Sequence, residues 1–305
     1  MLTHDKKMIN FFVSWLTLSL LLVFLIIVIG GLTRLTNSGL SITEWELFSG
    51  LLPPLTQSKW DEYFNLYKDI PQYKILYSTM SLEEFKIIFY WEYVHRILGR
   101  LIGLVFLVPL VYFTLKKDIK IKFLVPYYII LALIILQGLI GWYMVQSGLV
   151  NNVTVSHYRL SMHLGVAIII ISIIFWQILN LKGNTSKEFF NFSKKNIPFI
   201  LLFVLIFIQI IFGAFVSGLD AGRIYQTWPL MGLNYFPDDF MVMNLKNLIN
   251  FENHSLVQFY HRNLAYLIIL YVLLISFFIF KNKIDNLYTP TILLLVIVSF
   301  QVLLG

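Results

Sequence analysis

Two His–Arg pairs, His95-Arg96 and His261-Arg262, stand at corresponding places in two copies of one apolar, helix-length unit, and a third histidine, His163, follows in the first copy. An ionisable side chain inside a membrane-spanning helix is costly, so it marks a functional site by default. Two imidazoles facing each other across a four-helix bundle can hold a metal ion or ligate a haem iron from both sides. A bare metal would recruit thiolates or carboxylates, and this chain has no cysteine and few acids near its histidines. A porphyrin is a large apolar plate and suits a chain with 27 Phe, 17 Tyr and 7 Trp. His157, six residues before His163 and off its face, reads as interfacial, and His4 and His254 as tail or loop residues.

The arginines extend this chemistry. Haem carries two propionates, and planar guanidinium groups bind carboxylates through paired hydrogen bonds. Arg159 lies one turn before His163, Arg96 and Arg262 directly follow their histidines, and Arg100 lies one turn beyond Arg96. With Arg34 and Arg223 near the ends of the first and fifth apolar runs, these six are the propionate candidates, the plainer alternative being lipid anchors. Glu92 precedes His95 by three residues and shares its helix face. Its counterpart in the second copy is Gln258. A buried carboxylate can accept a proton or orient water, which an amide cannot do. That difference assigns chemistry to the first copy and cofactor holding to the second. A structural alternative for Glu92 is pairing with Arg96 or Arg34.

These residues must be positioned by membrane helices. The 305-residue chain is 58% hydrophobic and 13% charged, which excludes an ordinary soluble domain. Apolar runs long enough to cross about 30 Å of hydrocarbon fall near residues 11–31, 88–115, 123–146, 158–181, 197–218, 255–280 and 288–305. The first follows Lys6 and Lys7 but is too long for a signal peptide, so it is read as a retained helix. Lysines 116, 117, 120, 122, 182, 187, 194, 195, 281 and 283 cluster in the short connections, which puts those and the N-terminus in the cytoplasm. The longer loops, 32–87 and 219–254, then lie outside with the arginines. The net charge of +7 points to anionic lipid headgroups and not to nucleic acid.

The chain repeats itself. At an offset of 183, Gly30 meets Gly213, Asn37 meets Asp220, Gly39 meets Gly222, Trp45 meets Trp228 and Pro54 meets Pro237. At an offset of 166, His95 meets His261; at 164, Gln137 and Gly141 meet Gln301 and Gly305. Gly138 and Gly141 are read as sites of close helix packing. The expected fold class is an all-α polytopic membrane protein of two parallel-repeat four-helix bundles, over residues 1–182 and 183–305. Eight helices are expected and seven are visible, the eighth falling beyond residue 305. An even number of helices per copy makes the repeat parallel, unlike the inverted repeats of many transporters.

The stretch Gly30-Gly31-Leu32-Thr33-Arg34-Leu35-Thr36-Asn37-Ser38-Gly39-Leu40-Ser41-Ile42-Thr43-Glu44-Trp45 resembles the heme A synthase family. So do Glu92-Tyr93-Val94-His95-Arg96, Tyr158-Arg159-Leu160 with His163-Leu164, and Gln258-Phe259-Tyr260-His261-Arg262. The likeness is to its cysteine-free proteobacterial and mitochondrial branch, over nearly the whole chain. The resemblance implies oxidation of the C8 methyl of heme O to a formyl group, giving heme A for cytochrome c oxidase. It implies successive hydroxylations, with the hydrated aldehyde losing water. His95 and His163 would bracket the substrate haem, with Glu92 as the catalytic carboxylate. His261 would be one axial ligand of a haem b, its partner lying on the eighth helix. His157 stands where the family leads one to expect glutamine. The implied setting is a bacterial inner membrane, with a heme O-producing farnesyltransferase (heme O synthase) and an unidentified electron acceptor as possible partners. The other classes weighed are a di-haem b-type electron-transfer subunit oxidising quinol, which needs no Glu92, and a transporter, which leaves the matched histidines unexplained.

Overall fold

The computed structural model describes residues 6–45, 49–117, 119–151, 153–183, 185–239 and 245–305. Among these the chain is helical throughout, with no strand, and seven helices are long and apolar enough to cross a membrane. It divides into two compact units, Met1–Phe189 and Phe190–Gly305. In lipid only a helix satisfies its own backbone, which is why each apolar run becomes one.

The first unit is built from α1 (Lys6–Leu35), the short loop helices α2 (Gln57–Lys68) and α3 (Pro71–Leu76), then α4 (Leu82–Lys116), α5 (Ile121–Asn151) and α6 (His157–Lys182). Helix α1 packs on α4 and α6, and α5 packs on α4 and α6, closing a four-helix ring. The spanning helices outrun their apolar cores because local signals extend them. Helix α4 starts six residues before the apolar run, at a capping box in which the Glu84 amide donates to Ser81 Oγ and the Ser81 amide donates to Glu84 Oε2. The long loop 32–87 contains α2 and α3. Both are too polar and short to show as spans, but Thr56 caps the first and Pro71 opens the second.

Two cores form along the bundle. One gathers Phe12, Trp15, Leu16, Phe106, Tyr127 and Ile174 near the lysine-bearing ends. The other, near the long loop, joins Leu40, Trp60, Phe64, Tyr67, Phe85 and Phe89. On every spanning helix of this unit the histidine level falls between these two clusters. Packing, not aversion to water, holds such helices together in lipid.

The second unit contains α7 (Ile197–Gly218), α8 (His254–Lys281) and α9 (Tyr288–Leu304). Helix α8 packs on α7 and α9 around Leu202, Ile268, Val272, Ile275 and Ile279. Its backbone repeats that of the first unit. Asn37 and Asp220, aligned at the 183 offset, both take φ 53° just after α1 and α7. Lys117 and Lys283, aligned at 166, take φ 57° and 52° just after α4 and α8. Left-handed backbone at a non-glycine residue is uncommon, so its recurrence in register is a signature of shared geometry.

Candidate functional site

His95 on α4 and His163 on α6 face each other inside the first unit, with ring centroids 6.5 Å apart and ring planes at 55°. Nδ1 of each ring is buried without a hydrogen-bond partner among the described residues, and so is Nδ1 of His261 on α8. A buried polar atom left unpaired is costly and calls for an explanation. A metal–imidazole bond is about 2.0–2.1 Å long. Two imidazoles on opposite sides of one iron therefore have centroids roughly 6–6.5 Å apart, which suits a haem iron ligated from both faces. The donor set fits the group as well: neutral nitrogen ligands without thiolate, and no cluster of three or more His, Cys, Asp or Glu among the described residues that would favour a bare ion.

His95 lies farther from the start of its helix than the apolar run suggests, and His163 lies where its run puts it. His95 is thirteen residues into α4, about 20 Å along its axis, whereas His163 is six residues into α6. Each ring lies against a glycine of a neighbouring helix. A Cβ at Gly30 would meet His95 Cε1 at 3.0 Å, one at Gly141 would meet His163 Cε1 at 3.1 Å, and one at Gly213 would meet His261 Cε1 at 3.2 Å. Gly141 thus sits at a close approach, as expected, but Gly138 does not: nothing lies within 4 Å of its would-be Cβ. His157, expected at the interface, is buried at 5% exposure as the first residue of α6, its ring 4.0 Å from that of Tyr158. His254 opens α8, and His4 lies outside the described residues.

Glu92, 3% exposed, is held from two sides. Its Oε2 accepts from Ser41 Oγ and from the Ile42 amide, both at 2.8 Å. Its Oε1 accepts from Arg96 Nε at 3.0 Å and Nη2 at 2.6 Å. Arg96 also donates to the carbonyls of Ile42 (2.7 Å) and Glu44 (3.1 Å), and its guanidinium lies 5.6 Å from the Trp45 ring centre. The partner of Glu92 is therefore Arg96, one turn away on α4, and not Arg34, which donates to Asn37 Oδ1 at 3.0 Å.

The second unit repeats this arrangement. Gln258 Oε1 accepts from the Tyr225 amide at 3.2 Å, and Arg262 donates to the carbonyls of Tyr225 (2.6 Å) and Thr227 (2.7 Å). Tyr225 and Thr227 are Ile42 and Glu44 displaced by 183. The Glu or Gln and the Arg on one helix clamp the loop that leaves the preceding helix. Sequence reasoning missed this clamp, although the repeat pairs all of its residues. Among the other arginines, Arg159 donates to Tyr143 Oη at 3.3 Å and stacks 4.5 Å over its ring. Arg100 donates to the Gly50 carbonyl at 3.2 Å and, with Arg96, Tyr63, Phe89 and Tyr93, lines a small cavity by the loop. Arg223 stands exposed in a short 3-10 turn after α7.

A Pelagibacter ubique heme A synthase is 45% identical over all of this chain and 89% of its own length. A Parvibaculum lavamentivorans heme A synthase is 48% identical over 85% of this chain and 74% of its own, and one from Wolbachia of Brugia malayi is 40% identical over 99% and 88%. No solved structure matches the chain. Residues 13–305 match the cytochrome oxidase assembly protein family, COX15-CtaA, and it is to this family that the chain belongs.

Proposed function

We propose that this protein is a heme A synthase, converting the C8 methyl of heme O to the formyl group of heme A in the four-helix unit of α1, α4, α5 and α6. The observation that carries the reading is the His95–His163 pair, 6.5 Å between ring centres with a buried, unpaired nitrogen on each ring. These imidazoles hold the substrate iron, and the aromatic and aliphatic cores on either side of them wall the porphyrin. Two hydroxylations of the methyl carbon, each taking its oxygen from water and releasing two electrons and two protons, give a geminal diol, which loses water to leave the aldehyde; a separate electron acceptor takes the four electrons.

Glu92 is the catalytic carboxylate of this proposal. Arg96, Ser41 and the Ile42 amide fix its orientation, and from one turn before His95 it accepts a proton or aligns water beside the substrate. In the second unit His261 would hold a haem b, which when bound would supply one-electron redox chemistry. Gln258 there leaves the site without a proton acceptor. Arg34, Arg96, Arg100, Arg159, Arg223 and Arg262 all remain propionate candidates of this proposal, Arg96 and Arg262 also gripping the loops. The protein is a multi-pass membrane protein; we place it in the bacterial inner membrane with its N-terminus in the cytoplasm, among lipids and near a heme O synthase.

The test is expression in a host that makes heme O but no heme A, followed by extraction and pyridine haemochrome analysis. The reading predicts heme A with the natural chain and none with His163→Ala. A purified protein without haem, in a host rich in heme O, contradicts it.

A further inference from the structure

Three histidines on three helices meet three glycines on three neighbours, each through the same ring atom and at nearly the same distance. A Cβ would stand 3.0, 3.1 and 3.2 Å from Cε1 of His95, His163 and His261 at Gly30, Gly141 and Gly213. These are not generic small-residue contacts. The adjacent Gly31 and, one turn before Gly141, Gly138 have nothing within 4 Å. At two of the three places a glutamine one turn before the glycine completes the contact. Gln137 Nε2 donates to the His163 carbonyl at 2.9 Å, and Gln209 Nε2 donates to the His261 carbonyl at 3.2 Å while lying 3.4 Å from His261 Nε2. The corresponding residue before Gly30 is Ile26, which has no side-chain donor.

We propose that Gly30, Gly141 and Gly213 are positioning residues, each a flat seat that sets where its imidazole ring stands, and that Gln137 and Gln209 latch two of the seats by fixing the histidine backbone. This rests on the haem reading above. The physical reason is steric. An imidazole ligates through a nitrogen lone pair in the ring plane, so ring placement fixes the direction in which that lone pair points. A methyl group at 3.0–3.2 Å from a ring carbon must push the ring by a few tenths of an ångström. Alanine is also the better helix former, so the helices themselves lose nothing. Beside His95 no glutamine side chain stands; there the Ile26 backbone bonds the ring itself, so this seat is secured differently from the other two.

The test compares the full-length purified protein with Gly30→Ala, Gly141→Ala and Gly213→Ala, using Gly31→Ala and Gly138→Ala as controls. The first three are expected to keep bound haem but shift its low-spin absorption and electron paramagnetic resonance signals. For Gly30→Ala and Gly141→Ala, heme A formation falls on the order of tenfold, in line with the sensitivity of catalysis to sub-ångström misplacement. The controls leave both unchanged. Equal effects at Gly138 and Gly141 overturn the seat, because helix packing alone then accounts for them. A stability cycle decides the matter even for variants that lose haem. In a His163→Ala background the ring that alanine would strike is gone, so Gly141→Ala is expected to lower the thermal midpoint only when His163 is present. An equal loss in both backgrounds overturns the seat. A colourless natural protein contradicts the haem reading instead, and the cycle, which needs no haem, still decides the seat.

Discussion

Glu92 and Gln258 occupy equivalent places in the two units and accept equivalent backbone amides, Ile42 N at 2.8 Å and Tyr225 N at 3.2 Å. The protein therefore carries its own isosteric control. Whatever Glu92 does beyond holding its loop is something a neutral amide does not do, because an amide already holds the other loop.

From this we expect Glu92→Gln to fold, insert and retain haem while heme A formation falls by roughly 10²–10⁴, the usual contribution of a positioned general base. Haem content and heme A yield, measured on the same preparation, check it. Undiminished product would confine Glu92 to the loop clamp.

The clamps should differ in cost. Removing Arg96 leaves a carboxylate buried without its charge partner, a loss of about 3–5 kcal/mol. Removing Arg262 strands no charge, since Gln258 is neutral, and we expect a smaller loss, about 1–3 kcal/mol from carbonyls left unsatisfied. Adding Glu92→Gln to Arg96→Ala should restore part of the stability. Denaturation in detergent of the three variants measures this, and equal losses for Arg96→Ala and Arg262→Ala would contradict the charge argument.

Acid should loosen one loop of the second unit. Asp238 accepts from the Leu233 amide and from Asn234 Nδ2, both at 2.6 Å, and these bonds hold its carboxyl below the usual aspartate range. Because the folded value is depressed, its contribution is present above the ordinary aspartate value of about 3.9 and is lost as pH falls through the lower folded value. The turn it closes runs through Gly232, at φ 84°, where any Cβ would strike the Asp238 carboxylate. The protection of the Leu233 amide against exchange, corrected for the intrinsic rate, should fall in the natural chain as pH drops through that value, and should already be low at neutral pH in Asp238→Ala.

Much of this was legible in the chain itself. Apolar runs gave the seven spans because hydrocarbon admits little else, and the repeat read from the sequence reappears in the structure as left-handed backbone at Asn37 and Asp220, a conformation the offsets themselves did not reveal. The histidine pair followed from bundle geometry. What stayed hidden were contacts made across helices. Which face Gly138 or Gly141 presents depends on the rotation of α5, and the carbonyls gripped by Arg96 depend on how the loop folds back over α4. Helices α2 and α3 escaped notice because hydropathy is blind to short polar helices whose signals are caps.

The central claim is that one iron porphyrin sits between His95 and His163. Heme O titrated into the purified protein, followed by low-spin absorption and electron paramagnetic resonance, tests it most directly. The account predicts that a bis-imidazole signal from substrate forms with the natural chain and with His157→Ala, and is lost with either His95→Ala or His163→Ala while the signal dependent on His261 persists. A substrate signal that survives both of those substitutions would contradict it.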